Sequence, residues 1–197
     1  MVTALAQDRY AHPTYLVRRK VFRIFGNAFH IYDSVGQVAF YSRQKAFRLK
    51  EDLRLYTGED MRTEILSIRA RRVIDFAVTF DVFDSITGAK VGAMRRRGFK
   101  SVVQDEWLIL DPEDREIGLV QEDSVALALI RRLLTNLVPQ TWNASIGGAP
   151  VAVYAQHFNP FILKITVDFT PDVTRRLDRR LGIAIAVLLN AIEGRQQ

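Results

Sequence analysis

The chain has 197 residues, of which 48% are hydrophobic and 25% are charged, a composition typical of one globular domain. It contains no cysteine, which excludes disulfides, thiolate metal sites, a cysteine nucleophile and S-acylation. The formal net charge of +6 at pH 7 favours partners that carry phosphate, such as nucleic acid or the headgroups of anionic lipids.

The N-terminal residues show no basic segment followed by an apolar one, so we predict no secretory signal and expect a cytoplasmic protein. Residues 1–13 are predicted to form a flexible lead-in. No later segment is rich enough in Ser, Pro or Gly to act as a linker. Residues 14–194 are therefore predicted to form a single domain.

Short apolar segments separated by acidic turns make up most of the chain. The turns at residues 32–36, 56–60, 83–88 and 110–114 recur at a spacing of roughly 25 residues, which suits one hairpin and a connection. Asp at such turns bonds its own backbone two residues on, and Gly accepts a positive φ. The pattern predicts a mainly β fold, with strands at 15–24, 28–33, 37–43, 46–50, 53–57, 62–69, 73–83, 89–96, 99–104, 107–110, 116–121, 140–146, 150–156 and 162–169.

One helix is predicted over residues 124–138, where leucine and isoleucine recur at helical spacing and Pro139 follows the end. Asp123 or Ser124 is the expected N-cap. We expect this helix to lie on the outside of the sheet.

A second helix is predicted at the C-terminus, with Thr170 as N-cap, Pro171 at the first helical position, Asp172 against the dipole and Gly194 as C-cap. Residues 181–192 are apolar on every face, so protein or lipid must cover them. Twelve helical residues span only ~18 Å, against a hydrocarbon thickness of ~30 Å. The helix is therefore predicted to fill the interior of a closed sheet.

The sequence resembles the LURP-one-related proteins, which share the tubby-like C-terminal domain fold with phospholipid scramblases. The resemblance rests on residues 15–20, on the strand–turn–strand units at 31–36 and 82–88, and on the closing helix. It implies a closed antiparallel barrel of about twelve strands around a hydrophobic C-terminal helix. It also implies binding of phosphoinositide or other anionic headgroups at a basic surface, as tubby-like members do.

Catalytic and metal-binding motifs are not apparent. The three histidines have no metal-ligand spacing, no serine lies in a nucleophile-elbow motif, and no glycine-rich loop precedes a lysine. Asp168, Asp172 and Asp178 are weak candidates for a calcium site, since their segment lacks alternating acids around a Gly turn. We therefore expect a non-catalytic protein without a cofactor.

Clusters of arginine and lysine are the remaining candidates for a site. Arginine forks bind phosphate oxygens in pairs, and several on one barrel face would form a headgroup site. The favoured residues lie around the ends of two predicted strands, 89–96 and 62–69: Arg95, Arg96, Arg97 and Lys100, with Arg69 and Arg71.

These residues predict a binding module for an anionic lipid headgroup or another phosphate-bearing ligand, in contact with a membrane surface. Two alternatives stay open. The first is a module that binds a protein partner or a second copy of itself. The second is a weak polyanion binder; nucleic acid is the less favoured ligand, because exposed aromatic residues beside the arginines are few.

Overall fold

The protein folds as twelve antiparallel strands and one helix in a computed structural model, which describes residues 9–22, 26–44, 52–71, 78–97, 106–123, 139–157 and 162–193. Each strand pairs with its neighbours in sequence, and β1 pairs with β12 to close the barrel. The elements are β1 (Thr14–Phe22), β2 (Gly26–Tyr32), β3 (Val38–Gln44), β4 (Leu53–Tyr56), β5 (Glu64–Ala70), β6 (Thr79–Asp84), β7 (Lys90–Arg96), β8 (Glu106–Leu110), β9 (Glu116–Glu122), β10 (Thr141–Ile146), β11 (Ala149–His157), β12 (Leu163–Asp168) and α1 (Arg179–Glu193).

The closed antiparallel barrel with a C-terminal helix confirms the predicted fold class. Twelve of the predicted strands each overlap one observed strand. The predicted strands 46–50 and 99–104, the outer helix 124–138 and the C-cap Gly194 lie outside the described residues, as do residues 1–8 of the lead-in. Within the rest of the lead-in, Arg9 Nη1 donates to the carbonyls of Ala39 and Thr57 at 2.7 and 3.0 Å.

Alternation of side chains along each strand separates the barrel interior from its outer face. On β1, Tyr15 and Val17 are at most 1% exposed and point inward, whereas Lys20 is exposed on the outer face. Val17 pairs in register with Ile31 of β2 and Ile165 of β12, and all three are fully buried. Such layers of cross-strand neighbours build the apolar wall that faces α1.

The helix α1 lies inside the barrel. Its hydrophobic residues from Leu181 to Leu189 are at most 2% exposed, and side chains from separate walls reach its backbone. Tyr154 Oη of β11 donates to the carbonyl of Gly182 at 3.2 Å, and Arg19 Nη1 of β1 donates to the carbonyl of Asn190 at 3.3 Å. Burial raises the pKa of Tyr154 above its ordinary value. The hydroxyl therefore stays a protonated donor at physiological pH.

The predicted start of the helix was wrong, because α1 begins at Arg179 and not after Thr170. The N-cap is Asp178, whose carboxylate accepts from the Arg180 N–H at 2.9 Å. The preceding segment forms turns because the buried Asp172 carboxylate captures backbone N–H groups that a helix would use. Arg175 has a φ of 51°, which also interrupts a helical path.

The turns β2–β3, β4–β5, β6–β7, β8–β9 and β10–β11 lie at the barrel end where α1 begins, the helix-start end. Asp33 supports the first turn, since its Oδ1 accepts from the N–H groups of Val35 and Gln37 at 3.0 and 2.9 Å. Asp84 and Asp111 make corresponding pairs of bonds in their own turns. The structural interpretation of these acidic turns is thus confirmed.

Candidate anion-binding surface

The three consecutive arginines predicted as a ligand site point in two directions. Arg95 forms an ion pair with Glu116, and Arg97 Nη1 lies 3.2 Å from Glu106 Oε2. Arg96 pairs in register with the buried Trp107, and its guanidinium lies 5.8 Å from that ring's centroid. Lys100 lies outside the described residues. Arg95 and Arg97 therefore share the outer face, each with a carboxylate partner, whereas Arg96 lies on the opposite face of the strand.

The predicted partners Arg69 and Arg71 are also engaged within the protein. Arg69 stacks over Phe83 at 4.9 Å and lies 3.8 Å from Asp52. Arg71 forms ion pairs with both Asp81 and Asp114. These bonds raise the pKa of Arg71, and the hydrogen bonds from Arg71 and Lys90 hold the pKa of Asp114 below its ordinary value. A ligand phosphate would have to displace these carboxylates.

The three aspartates considered for calcium have separate structural roles. Asp168 accepts from the Thr170 N–H at 2.8 Å, and Asp178 caps α1. The Asp172 side chain is 1% exposed and lies 3.2 Å from Arg179 Nη1. Among the residues that the structure describes, no group of three or more metal-ligating side chains occurs.

A different set of cations lies on the outer face of β12, β1 and β3, with β2 between the last two. Arg18 and Lys20 alternate outward on β1, Lys164 of β12 is the direct partner of Arg18, and Arg43 of β3 pairs with Ala28, the partner of Lys20. We name Lys164, Arg18, Lys20 and Arg43 the outer basic patch. Lys20 and Arg43 are exposed, and the other two are half-buried.

The distances within the outer basic patch follow from sheet geometry. Paired residues on antiparallel strands have Cα atoms about 5 Å apart, and residues two apart on one strand are about 6.6 Å apart. Arg43 lies two strands from Lys20, or about 10 Å. The long side chains can therefore converge on one ligand of headgroup size.

The outer basic patch differs from the predicted site in its charge balance. Within the described part of the chain, none of its four residues forms an ion pair with a carboxylate, and Arg18 Nε is buried without a hydrogen-bond partner. Among the described residues, the positive charge of the patch is therefore uncompensated. The arrangement suits an anionic ligand that supplies several oxygen acceptors.

The predicted site did not include the basic run at residues 18–20. Strand alternation already separates these residues, because Arg19 points inward to α1 while its neighbours point outward. The contributions of Lys164 and Arg43 depend on the pairing of β1 with β12 and on the register of β2 and β3. That information is not local in the sequence.

In comparisons with known proteins, no protein-family model and no curated protein matches the chain. The structural search for membrane-spanning segments finds no helix, within the described residues, that is long and apolar enough to cross a bilayer.

Proposed function

We propose that the protein is a non-catalytic module that binds anionic phospholipid headgroups through the outer basic patch, at the cytoplasmic surface of a membrane. The observation that supports this proposal is the uncompensated charge of four cations in register on one barrel face. The closed barrel supplies a rigid backbone, so ligand binding has to order only the side chains of the cations.

The expected strength is that of a peripheral contact. Each basic residue near an anionic membrane contributes about 1 kcal/mol, so four contribute about 4 kcal/mol, a factor of about 1,000 in affinity for the membrane surface. A vesicle offers many headgroups at once, so binding should require a high fraction of anionic lipid. It should also weaken steeply as salt screens the charges.

The test is co-sedimentation with vesicles of phosphatidylcholine alone and with phosphatidylglycerol added, at low and at high salt. The first variant carries Arg18→Gln, Lys20→Gln, Arg43→Gln and Lys164→Gln. A matched control loses the same charge from residues that have carboxylate partners, through Arg62→Gln, Arg95→Gln, Arg97→Gln and Arg115→Gln. Circular dichroism verifies that both variants keep the fold.

We expect the wild type and the control to bind only the anionic vesicles, and the patch variant to lose binding. Loss of binding in the control alone would assign the site to the predicted surface around Arg95 and Arg97. Absence of wild-type binding at low salt would overturn the lipid proposal. A protein partner or a second copy of the chain would then become the leading alternative.

A further inference from the structure

A histidine–glutamate pair lies at the edge of the outer basic patch. His30 of β2 is the direct cross-strand partner of Arg18, and its Nε2 lies 2.9 Å from Glu59 Oε1 in the β4–β5 turn. The His30 side chain is 8% exposed, whereas that of Glu59 is 68% exposed. The Glu59 carboxylate, at the helix-start end, therefore bonds the residue that lies beside Arg18 of the outer basic patch.

The imidazole of His30 is held in a fixed place by aromatic neighbours. Tyr32 on the same strand stacks beside it at 6.1 Å, and Tyr41 of β3 meets it edge-on at 5.0 Å between ring centroids. Arg18 faces it from β1, and Glu59 faces it from the turn. These are the charged and titratable groups of the described residues that surround the ring.

The charge beside the patch depends on the proton of His30. With a neutral imidazole, the Glu59 carboxylate places one negative charge next to the patch and opposes an anionic ligand. With an imidazolium, the pair is neutral and the opposition is removed. An anion bound at Arg18 would lie beside the His30 ring, where it would be repelled by the Glu59 carboxylate and attracted by an imidazolium.

Anion binding and protonation of His30 must therefore favour each other, since the coupling between two binding events is reciprocal. We infer that the outer basic patch takes up one proton with its anion, with His30 as the proton acceptor and Glu59 as the opposing charge. This inference rests on the proposed function, because it concerns the same ligand at the same site.

The experiment measures vesicle affinity between pH 5.5 and 8 at constant ionic strength. Phosphatidylglycerol is the probe, because a phosphodiester keeps one negative charge throughout this range. We expect affinity to be about threefold to fiftyfold higher at the acidic end, the effect of one charge roughly 7 Å away at an effective dielectric constant between about 80 and 20.

Three variants assign the effect. His30→Gln cannot take up the proton, so it should bind at every pH with the wild-type affinity of pH 8. Glu59→Gln removes the opposing charge from an exposed position, so it should bind more tightly than wild type at pH 8. His157→Gln is the matched control, since His157 is exposed next to Lys164 and bonds Thr166 at 2.6 Å.

The outcomes separate this inference from the proposed function. Wild-type binding with equal affinity at both ends of the pH range would overturn the inference and leave the lipid site in place. A pH dependence that survives His30→Gln but disappears in His157→Gln would also overturn it. Wild type that binds at no pH would overturn both. If His30→Gln does not fold, an unchanged affinity of Glu59→Gln at pH 8 would overturn the inference.

Discussion

Two regions of this barrel are rich in arginine and lysine, but they differ in whether carboxylates pair with those cations. Just after β5 and on β7, Arg71 and Arg95 meet carboxylates from the neighbouring strands and turns. On β12, β1 and β3, Lys164, Arg18 and Arg43 have no such partner among the described residues. The difference teaches that a basic run predicts a binding surface only after the residues opposite it are known.

The cause of the difference lies in the outward positions of adjacent strands. β8 and β9 carry Glu106 and Glu116 there, and the turn between them carries Asp114. Next to Arg18 and Lys20, the outward positions of β2 are His30 and Ala28. Whether a cation has a carboxylate partner therefore depends on the outward residues of the adjacent strands, and not on the overall composition.

The largest effect on stability is expected from breaking a buried ion pair. Asp172→Ala removes a carboxylate that accepts from two backbone N–H groups and lies 3.2 Å from Arg179, so these donors lose their acceptor. We expect a loss of about 3 kcal/mol in the free energy of unfolding, measured with urea. Asp168→Ala, which removes one more accessible cap, is the control and should cost less. A loss under about 1 kcal/mol for Asp172→Ala would contradict the role of this buried network.

The second prediction concerns the uncompensated region. Arg18→Gln combined with Lys164→Gln should weaken binding to phosphatidylglycerol vesicles by about 30-fold, the equivalent of about 2 kcal/mol. The free energy of unfolding should stay the same or rise, because two adjacent like charges are removed. Marked destabilisation would show that these cations have a structural role instead.

The third prediction concerns the compensated region at the surface. Among the described residues, Arg71→Gln leaves Asp81 and Asp114 with Lys90 as their one ion-pair partner, so the free energy of unfolding should fall by about 1 kcal/mol. Vesicle binding should not change. A variant that loses binding and keeps its stability would reverse the assignment of the two regions.

The smallest effect is a dependence of stability on pH. The pKa of Asp114 is lowered in the folded protein, chiefly by the hydrogen bond from Arg71, so its contribution is present above the ordinary value of 3.8 and is lost as pH falls through the lowered value. Wild type should therefore exceed Asp114→Asn in stability at pH 6, and the gap should close towards pH 2. A gap that persists in acid would exclude the charge of Asp114 as its origin.

The fold was accessible from sequence because its signals are local. Strand alternation, acidic turns such as the one at Asp33 and the apolar segment from Leu181 each act within a few residues. The helix start was not accessible, because a turn-forming role for Asp172 depends on its burial and on Arg179. That tertiary contact overrides the local preference of Thr170 and Pro171 for a helix start.

The candidate site was harder to predict from the sequence, because it too depends on contacts between distant residues. Alternation on β1 is enough to place Arg18 and Lys20 on one face, but Lys164 joins them only when the first and last strands meet. The ion pairs of Arg95 and Arg97 likewise depend on the register of β8 and β9. Charge on a barrel surface is a property of strand pairing, and single-sequence patterns do not contain it.

The closure of β1 on β12 determines when this protein can fold during synthesis. β1 is made before β12, so Val17 must wait for Ile165 as its partner, and α1 is made later still. At about 5–20 residues per second, ribosomes need roughly 7 to 30 seconds for the intervening chain. Throughout that interval β1 has an unpaired edge and the inner apolar layer has no helix against it. A newborn chain therefore depends on protection from aggregation until α1 has been made.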